Sequence, residues 1–115
     1  MPRMINYDFG DVVLVRFPFT DQKSSKKRPA VVVSSFSYNR ARPDLILMAI
    51  TGQVSPSPRL GEVAVVDWKK VGLLKASTIK PIVTTIEKNL VIRRLGRLES
   101  SETSALRKSL AVILG

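Results

Sequence analysis

A chain of 115 residues suits one domain with a modest core, since domains commonly hold about 100 to 150 residues, and a single domain over residues 1–115 is expected. Hydrophobic residues at 44% and charged residues at 24% are ordinary globular proportions, which exclude disorder over most of the length. Nineteen Lys and Arg against nine Asp and Glu give +10, the signature of a partner carrying phosphates or anionic headgroups; a solubilising surface or an acidic protein partner is the plain alternative.

After Gly10, DVVLVRF is rich in Val, Leu and Phe and alternates in part, which predicts a first strand with one buried face. FPFTDQKSSKK follows, where Pro18 and a polar cluster forbid a regular element. A connection of that length is expected to be functional or mobile, with Lys26 and Lys27 inside it. The second strand is expected from Arg28 to about Ser34, with Pro29 at its start, where a missing backbone donor is tolerated. SFSYNRARPD is polar, interrupted by Asn39 and Pro43, and LILMAIT then reads as a strand buried on both faces. QVSPSPRLG makes a second long connection and EVAVV, at 62–66, a further short strand. Trp68 beyond it is read as core or dimer interface.

A short apolar stretch from Ser77 to Ile82 is expected to break at Pro81, and residues 87–98 fit strand and helix patterns alike. The tail SSETSALRKSLAVILG predicts a helix. Ser100 or Ser101 serves as N-cap, Glu102 lies in the first turn, and Leu106, Leu110, Ile113 and Leu114 share one face. Short strands, long connections and one terminal helix point to a small, strongly bent sheet or barrel with a packed helix, not to alternating βαβ units.

Cysteine is absent, which excludes disulfides, a thiolate nucleophile and cysteine-based metal or redox sites. Histidine is absent too, removing the commonest general base and metal ligand. The nine carboxylates are dispersed without a DxD-type cluster, so a metal-dependent nuclease is disfavoured and neither metal nor cofactor is expected. The start, MPRMINYDFGD, lacks the apolar core of a signal peptide, and LILMAI is far shorter than the roughly 20 residues that span a bilayer. A cytoplasmic protein with no membrane partner is the expectation.

Four blocks, GDVVLVRFPFTD, KRPAVVVSS, MAITGQ and GLLKASTIKPIVTTIEKNLV, resemble in order and spacing the MazF/PemK family of toxin ribonucleases from type II toxin-antitoxin systems. The resemblance implies a mainly β, SH3-like barrel of the MazF/CcdB/Kid type with a C-terminal α-helix. It also implies a homodimer and metal-independent cleavage of single-stranded RNA at short motifs. A cognate antitoxin would lay an acidic, partly disordered tail over the basic groove, with operator DNA bound only by the toxin-antitoxin complex. The family's catalytic arginine, in its Arg-Pro at the start of the second strand, falls on Arg28. Its catalytic threonine, closing the strand that ends Ala-Ile-Thr, falls on Thr51.

The chemistry is consistent with these residue types. Metal-free RNA cleavage uses the ribose 2′-hydroxyl as internal nucleophile, so the protein must align that group and stabilise charge on the phosphate. A guanidinium offers two oxygens a planar fork and stays charged, which suits Arg28 to transition-state stabilisation and makes it a poor general acid or base. Thr51 can hydrogen-bond the scissile phosphate or the 2′-hydroxyl. Which group moves the proton stays open. Gln53 and Ser77 fall where the family lines its RNA groove, while Lys26, Lys27 and Lys80 are candidate phosphate contacts and Phe19 a candidate base-stacking residue.

For each there is a plain counterpart: a strand-edge cation, a turn threonine, solvated polar residues, or a core aromatic. Two other functions compete. One is a gyrase poison resembling CcdB, whose Trp-Gly-Ile ending has no counterpart in AVILG; the other is a non-enzymatic basic barrel that binds nucleic acid.

Overall fold

In the computed structural model, residues 5–17, 26–54 and 56–115 are described. Their elements, in chain order, are β1 (Asp11–Phe17), β2 (Lys26–Val32), α1 (Phe36–Ala41), β3 (Asp44–Thr51), β4 (Val63–Val65), β5 (Ser77–Glu87), β6 (Val91–Arg97) and α2 (Ser100–Leu114). The strands form one six-stranded antiparallel sheet in the order β4-β5-β3-β2-β1-β6, curled into a half-barrel with α2 packed on it. This is the bent sheet with a terminal helix that the sequence pattern predicts.

Two apolar clusters lie on opposite faces of the sheet. Val12, Val31, Met48 and Ile50 meet Leu106 of α2 on one side; Val13, Val15, Val32, Leu45 and Leu47 meet Tyr7 and Ile86 on the other. Successive side chains of a strand alternate between faces, so β3 contributes to both clusters and carries the continuous apolar run read from LILMAIT. Trp68 is partly buried against the first cluster, in keeping with a core role.

Several local expectations are corrected. β2 starts at Lys26, not Arg28, because Lys26 and Lys27 pair with Phe17 and Arg16 of β1; both lysines belong to a strand and not to a loop. The polar segment after Val33 holds α1. Its N-cap Ser35 accepts the Tyr38 N–H at 3.2 Å, and Asn39 is buried, donating to the carbonyls of Tyr7 and Ser34 at 3.1 Å each. Asn39 is thus a buried hydrogen-bonding hub and no breaker.

Nor does Pro81 end its strand. β5 continues to Glu87, because its register against β3 shifts between the Met48↔Val83 and Ile50↔Ile79 pairs, leaving Pro81 in an irregularity where the ladder asks no donor of it. Residues 88–90 make one 3-10 turn, and β6 follows. α2 is capped by Glu99 in place of Ser100 or Ser101, with Glu99 and Glu102 forming a reciprocal capping box. On its expected apolar face Leu106 is buried, whereas Leu114 is 72% exposed.

Candidate nucleic-acid groove

The N-terminal end of β2 and the C-terminal end of β3 lie side by side. The β2–β3 pairing ends at Ala30↔Ala49, two residues from Arg28 and from Thr51, and Thr51 pairs on its other side with Thr78 of β5. A groove of about 340 Å³ opens at these strand ends, lined by Lys27, Arg28, Thr51, Lys75, Ser77 and Arg93, over an apolar floor that includes Ile50 and Leu73. Four of the lining residues are cations and none is a carboxylate. Among the described residues, Arg28 makes no ion pair.

Thr51 Oγ1 accepts the backbone N–H of Gln53 at 3.3 Å. With one lone pair so occupied, the hydroxyl keeps its proton to donate to another acceptor. Ser77 is buried, and its hydroxyl donates to the Lys75 carbonyl at 2.9 Å, which fixes the backbone at the entry to β5.

The other expected site residues lie outside this lining. Lys26 is exposed at the start of β2, and Gln53 is exposed just after Thr51. Lys80 donates to Glu62 at 2.7 Å, and Glu62 also receives the Arg59 N–H at 2.9 Å. The Lys80 ammonium, first, and then the Arg59 N–H hold the Glu62 carboxyl below the usual carboxylate range. Phe19 falls outside the described residues.

Lys75 and Arg93 are groove residues that sequence reasoning missed. Lys75 stands in the block GLLKASTIKPIVTTIEKNLV, where nothing in the pattern sets it above its neighbour Ser77. Arg93 belongs to a run whose members divide on folding. Arg94 and Arg97 contact the fully buried Asp11 at 3.1 and 3.0 Å, tying β6 to β1, while Arg93 alone of the three reaches the groove. Two cations neutralise a carboxylate that would otherwise be stranded in the interior; the third stays available. Among the described residues no three carboxylates gather in a metal-holding cluster, and no helix is long and apolar enough to cross a membrane.

Residues 8–114 match the family described as PemK-like, MazF-like toxin of type II toxin-antitoxin system. No curated protein matches the sequence. Among solved structures, the Mycobacterium tuberculosis toxin MazF-mt6 superposes with a TM-score of 0.74 at 19% identity, covering 90% of this chain and 95% of its own. A mycobacterial endoribonuclease in complex with its cognate antitoxin gives 0.75 at 18% identity, covering 95% of each chain. MazE-MazF from Deinococcus radiodurans also gives 0.75 at 18%, covering 97% of this chain and 98% of that one. At these identities the likeness is one of fold.

Proposed function

The chain belongs to the PemK-like, MazF-like family of type II toxins, and from that premise we propose that residues 1–115 form one toxin domain that cuts single-stranded RNA at short sequence motifs without a metal ion. The observation that carries this reading is the groove itself: four cations and no carboxylate surround a threonine hydroxyl. The dispersal of carboxylates among the described residues supports the metal-free route.

In this scheme the ribose 2′-oxygen attacks phosphorus and the bond from phosphorus to the 5′-oxygen breaks. The products are a 2′,3′-cyclic phosphate and a 5′-hydroxyl, and over the reaction the proton leaving the 2′-oxygen is matched by the one gained at the 5′-oxygen. Arg28 stabilises the charge that builds on the two non-bridging oxygens. Thr51 donates its free proton to the same phosphate or holds the 2′-hydroxyl in line. Lys27 lines the approach, and Lys26 and Gln53 stand at its margins.

Antitoxin complexes among the structural relatives support an antitoxin partner, and the groove's four cations without a carboxylate suit an acidic inhibitory segment there. With it, the complex would bind operator DNA. A homodimer is part of the proposal, supported by the exposed apolar side chains of Leu60, before β4, and Val112, on α2, which are 84% and 55% exposed and line one groove. A cytoplasmic location follows from the substrate.

The test is incubation of the purified protein with a long natural RNA in EDTA, beside Arg28→Ala. The parent is expected to cut and leave 2′,3′-cyclic or 3′-phosphate ends, and the variant to lose cutting by roughly a hundredfold or more. An intact RNA, or cleavage that needs magnesium, overturns the reading.

A further inference from the structure

We propose that Lys75 is a further phosphate-contacting residue of the groove, its ammonium held over the backbone beside Thr51 by the absence of a side chain at Gly52. The inference rests on the reading of this groove as an RNA site. Lys75 lines the groove with Arg28 and Thr51. Its chain crosses the one face of Gly52 that a side chain would occupy: a Cβ built there would overlap Lys75 Cε and lie 2.9 Å from Nζ. The ammonium is therefore next to the residue that follows Thr51, and among the described residues it makes no ion pair.

The backbone that presents Lys75 is fixed from both sides. A Cβ on Gly72 would run into the Leu95 carbonyl, and one on Gly96 into the Val71 carbonyl, so this segment lies directly on β6 with no side chain between. Leu73 is buried and donates its N–H to the Trp68 carbonyl at 2.9 Å. On the other side of Lys75, the Ser77 hydroxyl holds the Lys75 carbonyl. Ser77 is thus a positioning residue for the cation two places before it.

Three other lysines have partners: Lys69 over the Trp68 ring, Lys80 on Glu62, Lys88 on the Asn39 carbonyl. Lys75 is instead aimed into a cationic groove without a counter-charge, an arrangement that an incoming phosphate completes.

The probe is a fully 2′-O-methylated single-stranded RNA, which binds without being cut, titrated over a range of NaCl. For a single strand, removing one phosphate-neutralising cation flattens the slope of log affinity against log salt by about 0.7. Lys75→Ala is expected to weaken binding roughly three- to tenfold at moderate salt and to flatten the slope by that amount. Gly52→Ala keeps every charge, and Gly52 has no positive φ, so alanine is accommodated once the lysine moves. It is expected to reproduce the Lys75→Ala effect, and the double variant to bind no more weakly than Lys75→Ala alone.

Lys108→Ala, which removes an equal charge from the exposed side of α2, is expected to leave the slope unchanged. Parent-like binding by Lys75→Ala, full additivity of the two substitutions, or an equal flattening by Lys108→Ala overturns the proposal. If the parent fails to cut natural RNA while Lys75→Ala flattens the slope, the ribonuclease reading falls and the phosphate contact stands.

Discussion

Thr51 is held by its own turn: the Gln53 N–H occupies a lone pair of Oγ1, which leaves the hydroxyl proton for another acceptor. Replacing Thr51 by valine keeps the shape and removes the hydroxyl, as donor and as acceptor of the Gln53 N–H, whereas serine keeps both. Thr51→Val is expected to lower kcat on a short RNA by roughly a hundredfold with little change in KM, and Thr51→Ser to stay within about tenfold of the parent. A Thr51→Val enzyme with parental kcat would show that neither the hydroxyl proton nor the bond from the Gln53 N–H is needed for cutting. At this scale the sequence is partly legible. Arg28 and Thr51 stand in recognisable blocks, and the fold brings them into one groove. Ser77 and Lys75 cannot be told apart in sequence. Which of these near neighbours presents its polar end to the groove depends on a side-chain hydrogen bond and on the empty face of Gly52, which only the fold brings beside them.

Between elements, the Lys80–Glu62 pair joins the residue that leads into β4 to β5, with the Arg59 N–H closing the corner on the same carboxylate. Because these partners depress the folded-state pKa of Glu62 below its ordinary value of 4.5, its contribution is fully present above that value and is lost as pH falls through the lower, folded one. Glu62→Gln is therefore expected to melt below the parent at pH 6 to 7, with the gap closing as both are taken below about pH 4.5. Parallel melting curves across pH 3 to 6 would show that the pair does not hold this corner. The same corner shows what sequence pattern conveys about elements. The strand cores are legible from Val, Ile and Leu content, but Pro81 reads as a breaker unless the β3–β5 irregularity is known. Likewise α1 is hidden because its buried Asn39 looks, in sequence, like any polar loop residue; its hydrogen bonds reach back to Tyr7.

Over the whole molecule, the charge of +10 acts on folding and on binding with opposite signs. The compact state holds its cations closer together than the unfolded chain does, so self-repulsion opposes folding and added salt relieves it within a Debye length of about 8 to 10 Å. RNA binding depends on those cations meeting phosphates and releasing counterions, so the same salt weakens it. Buried Asp11 sharpens the contrast: Arg94 and Arg97 neutralise it from short range, and close pairs of this kind are screened less than charges on an open surface. Raising NaCl from about 20 to 200 mM is therefore expected to raise the melting temperature by a few degrees. Over the same range affinity for the 2′-O-methylated RNA should fall, and if Lys27, Arg28, Lys75 and Arg93 each meet one phosphate the slope of log affinity against log salt should lie near about −3. Calorimetry and a binding titration in the same buffers measure both. A melting temperature that falls with salt would mean that attractive pairs, not the excess of like charge, dominate the fold; a slope near zero would mean that the groove's cations do not meet phosphates at all.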